Sequence, residues 1–260
     1  MTTPARVATG LVTAVLVAAC APPPQQQSRA AEGTAVTGEI TVYAAASLQP
    51  TFTDLGERFE RDHPGTTVTF NFAGSSSLVT QLTQGAPADV FASANAENMT
   101  KAVDSGVVSG APVDFAANTL TIVTPPGNPK GVQQFSALAD PDLQVVVCAP
   151  QVPCGAATQT IERSTGVALR PVSEESSVTD VLGKVVSGQA DAGLVYVTDA
   201  ADAGDEVTEV PFPQAADAVN VYPIAVLRNS ANPAGAQAFV DLVTGAQGRE
   251  VLASAGFAAP

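Results

Sequence analysis

The stretch Val42-Tyr43-Ala44-Ala45-Ala46-Ser47-Leu48-Gln49-Pro50 decides how the chain folds. Ile40 to Tyr43 reads as a buried strand, the three alanines as a passage of low bulk, and Ser47 as the N-cap of a helix. That helix carries Phe52, Leu55 and Phe59 at helical spacing. A helix N-terminus has free N–H groups and the positive end of the backbone dipole, so it suits an anion, and small neighbours let a ligand approach the backbone.

Outward from this unit the pattern alternates. Thr67 to Phe72 is a strand, Gly74-Ser75-Ser76-Ser77 opens a short helix ending at Gly85, Ala88 to Ala92 is a strand, and Glu97 to Ser105 is a helix. Asn118 to Thr124 is a strand halted by Pro125-Pro126-Gly127, and a second series follows through Gln144–Cys148, about Ala156–Ser164, Val178–Ser187 and Ala192–Val197. Late in the chain Val219–Leu227 is a strand, and Pro233–Thr244 and Gln247–Ser254 are helices. The alternation predicts an α/β fold of two lobes, each a mostly parallel sheet flanked by helices, joined by two crossover strands. Residues 39–117 with 228–260 form the first expected lobe and 118–227 the second. Ligands of such folds sit beyond the carboxyl ends of the strands and between domains.

Composition narrows the partners. The chain of 260 residues carries 25 acidic and 11 basic side chains, a net charge of −14, which disfavours nucleic acid and anionic membrane surfaces. Any anion site must therefore work through local donors against an adverse overall field. At the N-terminus Arg6 precedes an apolar run from Val7 to Ala19, the mark of an export signal over residues 1–19. Cys20 follows two alanines, as in bacterial lipoprotein signals, which predicts cleavage before Cys20 and a lipid on its thiol. Residues 20–38, rich in Pro, Gln, Ser and Ala, read as a flexible tether. Cys148 and Cys154 are the two remaining cysteines; close in sequence and exported, they are candidates for a disulfide. The single histidine, His63, lies in an Asp-His-Pro-Gly turn, and no cluster suggests a bare metal cation.

Four strand-to-helix junctions carry small or hydroxyl residues: Ala46-Ser47, Gly74-Ser75-Ser76-Ser77, Pro153-Cys154-Gly155-Ala156 and Ser176-Ser177-Val178-Thr179. Tyr196, in Gly193-Leu194-Val195-Tyr196, is a phenol at a strand's end. With these junctions, Gly85-Ala86-Pro87-Ala88-Asp89-Val90-Phe91-Ala92 and Tyr222-Pro223-Ile224-Ala225-Val226, the chain from Ile40 to Phe257 resembles the periplasmic molybdate-binding proteins of molybdate ABC importers.

The resemblance implies a type II periplasmic-binding fold and a molybdate or tungstate oxyanion as ligand, with no cofactor. Its implied ligands are the hydroxyls of Ser47 and Ser75, the main-chain N–H groups of Cys154 and Val178, and the hydroxyl of Tyr196. Cys154 stands where the family usually has alanine, a change that leaves the main-chain donor in place. The implied partners are an ABC permease and its ATPase, with the protein expected as a monomer held through Cys20 at the outer face of the cytoplasmic membrane. A receptor for sulfate or phosphate is the neighbouring reading. A serine hydrolase is the reading of another class, and it lacks a base, since His63 is the only histidine and sits in an expected surface turn. Neither a Gly-x-Gly pair nor a Gly-Lys-Ser/Thr loop occurs, so nucleotide motifs are absent. The sequence predicts a binding protein, not an enzyme.

Overall fold

A computed structural model describes residues 1–5, 8, 10 and 36–260. They fall into two units, Met1–Thr34 and Ala35–Pro260, and the fold below is that of the second. The expected lipidation residue Cys20, most of the signal segment and most of the tether lie outside the described residues.

Among the described residues there are ten strands and eight α-helices. The strands are β1 (Gly38–Ala45), β2 (Thr66–Ala73), β3 (Val90–Ala92), β4 (Val108–Asn118), β5 (Leu120–Thr124), β6 (Val145–Cys148), β7 (Ser173–Glu175), β8 (Ala192–Tyr196), β9 (Thr208–Val210) and β10 (Asn220–Leu227). The helices are α1 (Gln49–Asp62), α2 (Ser75–Thr83), α3 (Ala96–Asp104), α4 (Pro153–Thr165), α5 (Val178–Val186), α6 (Val197–Ala203), α7 (Pro233–Thr244) and α8 (Ala246–Ser254).

The strands form two five-stranded sheets, ordered β2-β1-β3-β10-β4 and β7-β6-β8-β5-β9. Each has a parallel triplet, β2-β1-β3 in one and β7-β6-β8 in the other. The remaining pairings are antiparallel, through β10 in the first sheet and β5 in the second, so the sheets are mixed rather than mostly parallel. The reversed strand is in each case the one that has just arrived from the other lobe. An arriving strand enters from the far end, and so runs against the triplet it joins.

Two sequence-based boundaries change. The expected strand Asn118–Thr124 is cut at Thr119: Asn118 closes β4 in the first sheet and Leu120 opens β5 in the second. The range 118–227 for the second lobe is too long, because β10 lies between β3 and β4 and buries Tyr222 and Ile224 in the first core. The second crossing is the segment 211–219, which holds a short 3-10 turn, Pro213–Asp217, rather than a strand. Gly110 and Pro112 hide β4 from a reading by periodicity.

Packing follows the apolar spacing. Helix α1 buries Phe52, Leu55 and Phe59 against the first sheet, where the Phe52 ring meets those of Phe115 and Phe239 at 5.8 and 6.0 Å. The tilted and edge-on arrangements are those that aromatic quadrupoles favour. The second core is mainly aliphatic, built around Val145, Val146, Ile161, Val181, Val185 and Leu194, with Phe135 stacked on Phe212 at 5.4 Å.

Asp89, at the entry to β3, ties the first lobe together. Its carboxylate accepts from Thr41 N at 2.7 Å, Ser230 Oγ at 2.6 Å, Ala231 N at 2.8 Å and Asn232 N at 3.2 Å. One buried side chain thus joins β1 to the loop that opens α7. Asp89→Ala strands these donors and should cost roughly 3 kcal/mol of stability, measured by urea unfolding. A loss well under 1 kcal/mol would mean that water meets them instead.

Candidate functional site

The parallel register brings the strand ends level. Ala45 pairs with Ala73, and Ala44 with Ala92, so β1, β2 and β3 end along one edge of the first sheet. Cys148 pairs with Glu175 in the same manner at the edge of the second. The chain leaving each end turns at once into a helix or turn, and these N-termini face one another across the gap between the lobes. They surround a small cavity of about 10 Å³, lined by Ala45, Ala46, Ser47, Gly74, Ser75 and Ala94 from the first lobe and Val152, Pro153, Cys154, Val178 and Tyr196 from the second. All five residues singled out in the sequence, Ser47, Ser75, Cys154, Val178 and Tyr196, therefore meet at one cavity.

Each arrives by a different local route. Ser47 is not the helix cap that the sequence suggests. It sits inside a 3-10 turn, Ala46–Leu48, that precedes α1, and its Oγ lies 3.0 Å from Tyr222 Oη. Ser75 is the first residue of α2, with Gly74 as N-cap, and its Oγ accepts from Ala94 N at 3.0 Å. An amide can only donate, so the Ser75 hydroxyl keeps its own proton free. Cys154 follows Pro153 in the first turn of α4, and a disulfide joins it to Cys148 at the end of β6, with Cα atoms 5.6 Å apart. Val178 is the first residue of α5, whose N-cap Ser177 accepts from Asp180 N at 3.2 Å. The first-turn N–H groups of α4 and α5 have no carbonyl of their own helix to bond.

Tyr196 ends β8. It is 1% exposed, and its Oη has no hydrogen-bond partner among the described residues. Burial pushes this phenol well above the ordinary tyrosine range, with the nearby Tyr222 and Asp199 adding to the rise, so it stays protonated and can donate. A buried hydroxyl without a partner is costly, and one that faces a cavity marks where a ligand belongs. Neither Lys nor Arg lines the cavity; its donors are neutral.

The lobes meet tightly here. A Cβ on Gly74 would lie 2.1 Å from the Ser176 carbonyl oxygen, so only glycine lets the first lobe reach the second. A Cβ on Gly155 would lie 2.0 Å from Ala149 O, which holds the first turn of α4 against the end of β6. Asn98 Nδ2 donates to Gln151 O at 3.3 Å, and Asn220 Nδ2 donates to Ala94 O at 2.7 Å and Pro153 O at 3.5 Å. Asn220 thus grips one wall of the cavity from each lobe. At the other crossing Asn118 Nδ2 donates to Thr198 Oγ1 at 2.8 Å. The sequence singled out neither Asn98 nor Asn220 and met Tyr222 only within a family motif; their long-range partners lie 53 to 175 residues away.

A larger groove, about 770 Å³ and open to solvent, adjoins the cavity and shares Ala46 and Ser47 with it. Its lining includes the carboxylates Asp199 and Asp202, which makes it a poor seat for an anion. Asp199 is itself buried and accepts from Tyr196 N at 2.9 Å, anchoring the backbone behind the phenol. Burial pushes its carboxyl up to about 7, the Tyr196 N–H acting in the opposite sense and Asp202 adding to the rise. A folded carboxyl that holds its proton above the ordinary range contributes stability that is full below about pH 4 and is lost as pH rises towards about 7. Asp199→Asn keeps an acceptor for the Tyr196 N–H but removes the titration. Urea unfolding should show the parent losing stability relative to this variant between about pH 4 and about pH 7. A difference that stays constant across that window would contradict the assignment.

Comparison with known proteins agrees with this architecture. The family model of the bacterial extracellular solute-binding proteins matches residues 40–258. The chain is 54% identical over 255 residues to the molybdate-binding protein ModA of Mycobacterium tuberculosis, covering 97% of both. Among solved structures it superposes on the periplasmic molybdate-binding protein of Azotobacter vinelandii with a TM-score of 0.73 at 23% identity, over 85% of this chain and 99% of that one. The sulfate-binding protein SubI of M. tuberculosis gives a TM-score of 0.74 at 19% identity, over 85% and 86% of the two chains. These last two likenesses speak for the two-lobed fold alone. The chain is a binding protein rather than an enzyme, and it belongs to the bacterial extracellular solute-binding family, in its molybdate-binding-protein branch.

Proposed function

We propose that this protein captures molybdate, and tungstate with it, in the cavity between its lobes and delivers the anion to the permease and ATPase of an ABC importer. The observation that carries the reading is the convergence of Ser47, Ser75, Cys154, Val178 and Tyr196, from both lobes, on one cavity with neutral donors and no basic side chain. Similarity to the M. tuberculosis molybdate-binding protein supports the choice of anion. The fold does not make that choice, since a sulfate-binding protein shares it.

The chemistry fits a tetrahedral dianion. Buried without a cation, its oxygens must be met by donors, and a hydrogen bond to a charged acceptor contributes about 1.5–3 kcal/mol. Ser47 and Ser75 supply hydroxyls, the first turns of α4 and α5 supply the N–H groups of Cys154 and Val178, and Tyr196 supplies a phenol held protonated by burial. A lysine or arginine would bind many anions, whereas fixed dipoles around a sized cavity favour one radius. Sulfate is too small to reach every donor. Phosphate at neutral pH carries a proton that needs an acceptor where the lining offers donors. Molybdate and tungstate are too alike in size to be separated this way.

The disulfide Cys148–Cys154 stiffens the loop that presents the Cys154 N–H. The lobes open and close about the crossings at Asn118–Leu120 and 211–219, the hinge motion of periplasmic binding proteins. The protein acts as a monomer, anchored through a lipid on Cys20 at the outer face of the cytoplasmic membrane. Stable anchoring takes at least two acyl chains.

Calorimetric titration with molybdate, tungstate, sulfate and phosphate tests the ligand. The first two should bind far more tightly, and Ser47→Ala, Ser75→Ala and Tyr196→Phe should each weaken molybdate binding roughly tenfold to a hundredfold. Equal affinity for sulfate and molybdate would refute the sized cavity, and neutral substitutions would refute the site. Mass spectrometry of protein extracted from membranes should find the mature chain beginning at a diacylated or triacylated Cys20; an unmodified N-terminus elsewhere would exclude the anchor.

A further inference from the structure

The two serines at the cavity differ in what holds them. Ser75 Oγ accepts from a backbone amide, Ala94 N, at 3.0 Å, which leaves its own proton for the cavity. Ser47 Oγ has instead a second hydroxyl, Tyr222 Oη, at 3.0 Å, and either atom is chemically able to donate. If Ser47 donated to Tyr222, its proton would be unavailable to a ligand and its lone pairs would face the cavity.

We propose that Tyr222 is a positioning residue: it donates its proton to Ser47 Oγ and so makes Ser47 a donor towards the cavity. The proposal deepens the molybdate reading and rests on it. Three observations carry it. Tyr222 is 0% exposed on β10, with its ring fixed between Phe257 at 5.5 Å, Tyr196 at 6.0 Å and Phe115 at 6.3 Å, so the phenol has no access to bulk water. Its buried proton needs an acceptor, and among the described residues Ser47 Oγ, at 3.0 Å, is the one in hydrogen-bond geometry with Tyr222 Oη. A phenol is also the stronger acid of the two, which makes it the better donor in a phenol–alcohol pair.

Burial raises the Tyr222 phenol, so the phenolate, which could only accept, is not formed. With Tyr222 donating to Ser47 and Ala94 donating to Ser75, both serines present protons to the cavity. A fully deprotonated oxyanion is satisfied by such a lining, whereas hydrogen phosphate meets a donor where it needs an acceptor. Tyr222 thereby contributes to selectivity without touching the ligand.

A double-mutant cycle on the full chain tests this, with Tyr222→Phe, Ser47→Ala and the double variant titrated with molybdate and with phosphate at neutral pH. Tyr222→Phe keeps the ring contacts, and its melting temperature checks the fold. It should weaken molybdate roughly tenfold and narrow the molybdate-over-phosphate ratio, because Ser47 Oγ becomes free to accept. The double variant should bind molybdate no more weakly than Ser47→Ala. Additive losses, or an unchanged anion ratio in Tyr222→Phe, would overturn the positioning role while leaving the anion site in place. A parent that binds no molybdate would overturn both. In the parent itself, proton NMR should show a slowly exchanging Tyr222 hydroxyl proton with a cross-peak to the Ser47 methylene; a Ser47 hydroxyl proton directed at Tyr222 instead would reverse the assignment.

Discussion

The cavity depends on how closely two backbones approach. The Ser176 carbonyl occupies the space that any side chain at position 74 would need, and Gly74 is also the N-cap of the helix that begins at Ser75. A single position therefore sets both the distance between the lobes and the placement of a hydroxyl at their junction. Asn98 and Asn220 reinforce the approach with side-chain amides bonded to carbonyls of the second lobe. Because these contacts cross from lobe to lobe, they exist only while the lobes are together, and any energy they supply is available to favour the ligand-holding arrangement.

The two sheets solve one problem twice. Each aligns the carboxyl ends of a parallel triplet and follows them with helix starts, α2 after β2 and α4 after β6 among them, whose first-turn N–H groups have no carbonyl of their own helix to bond. Facing the two edges together converts an ordinary consequence of helix geometry into a donor cage. The reversed strands β10 and β5 make this pairing of lobes possible, since each delivers the chain from the neighbouring lobe into the sheet it joins. Tyr222 rides on one of them, which is how a residue far along the chain comes to stand behind Ser47.

The electrostatics are local. A chain of net charge −14 offers an anion no general attraction, and Asp199 stands directly behind Tyr196. Burial limits the harm by raising the Asp199 carboxyl to about 7, so that near neutrality it is only partly ionised. Hydrogen-bond polarity rather than net charge then governs the cavity. Ser47, Ser75 and Tyr196 are hydroxyls whose protons can be steered by the groups behind them, and steering costs no additional charge.

Much of this was legible in the sequence. Alternating periodicities announced the α/β class, Ser and Gly after apolar strands announced the junctions, and Pro153-Cys154-Gly155 marked the start of α4. These are local signals: caps, breakers and periodicity act within a few residues, so a linear string contains them. The tertiary structure alone decided the rest. It assigned β10 to the first sheet rather than the second, broke the apparent strand at Thr119, and turned Ser47 from a cap into a side chain facing Tyr222 across 175 positions. Strand partnership and inter-lobe hydrogen bonds depend on which surfaces meet in space, and no local propensity of Tyr222, Asn220 or Gly74 records what lies opposite them.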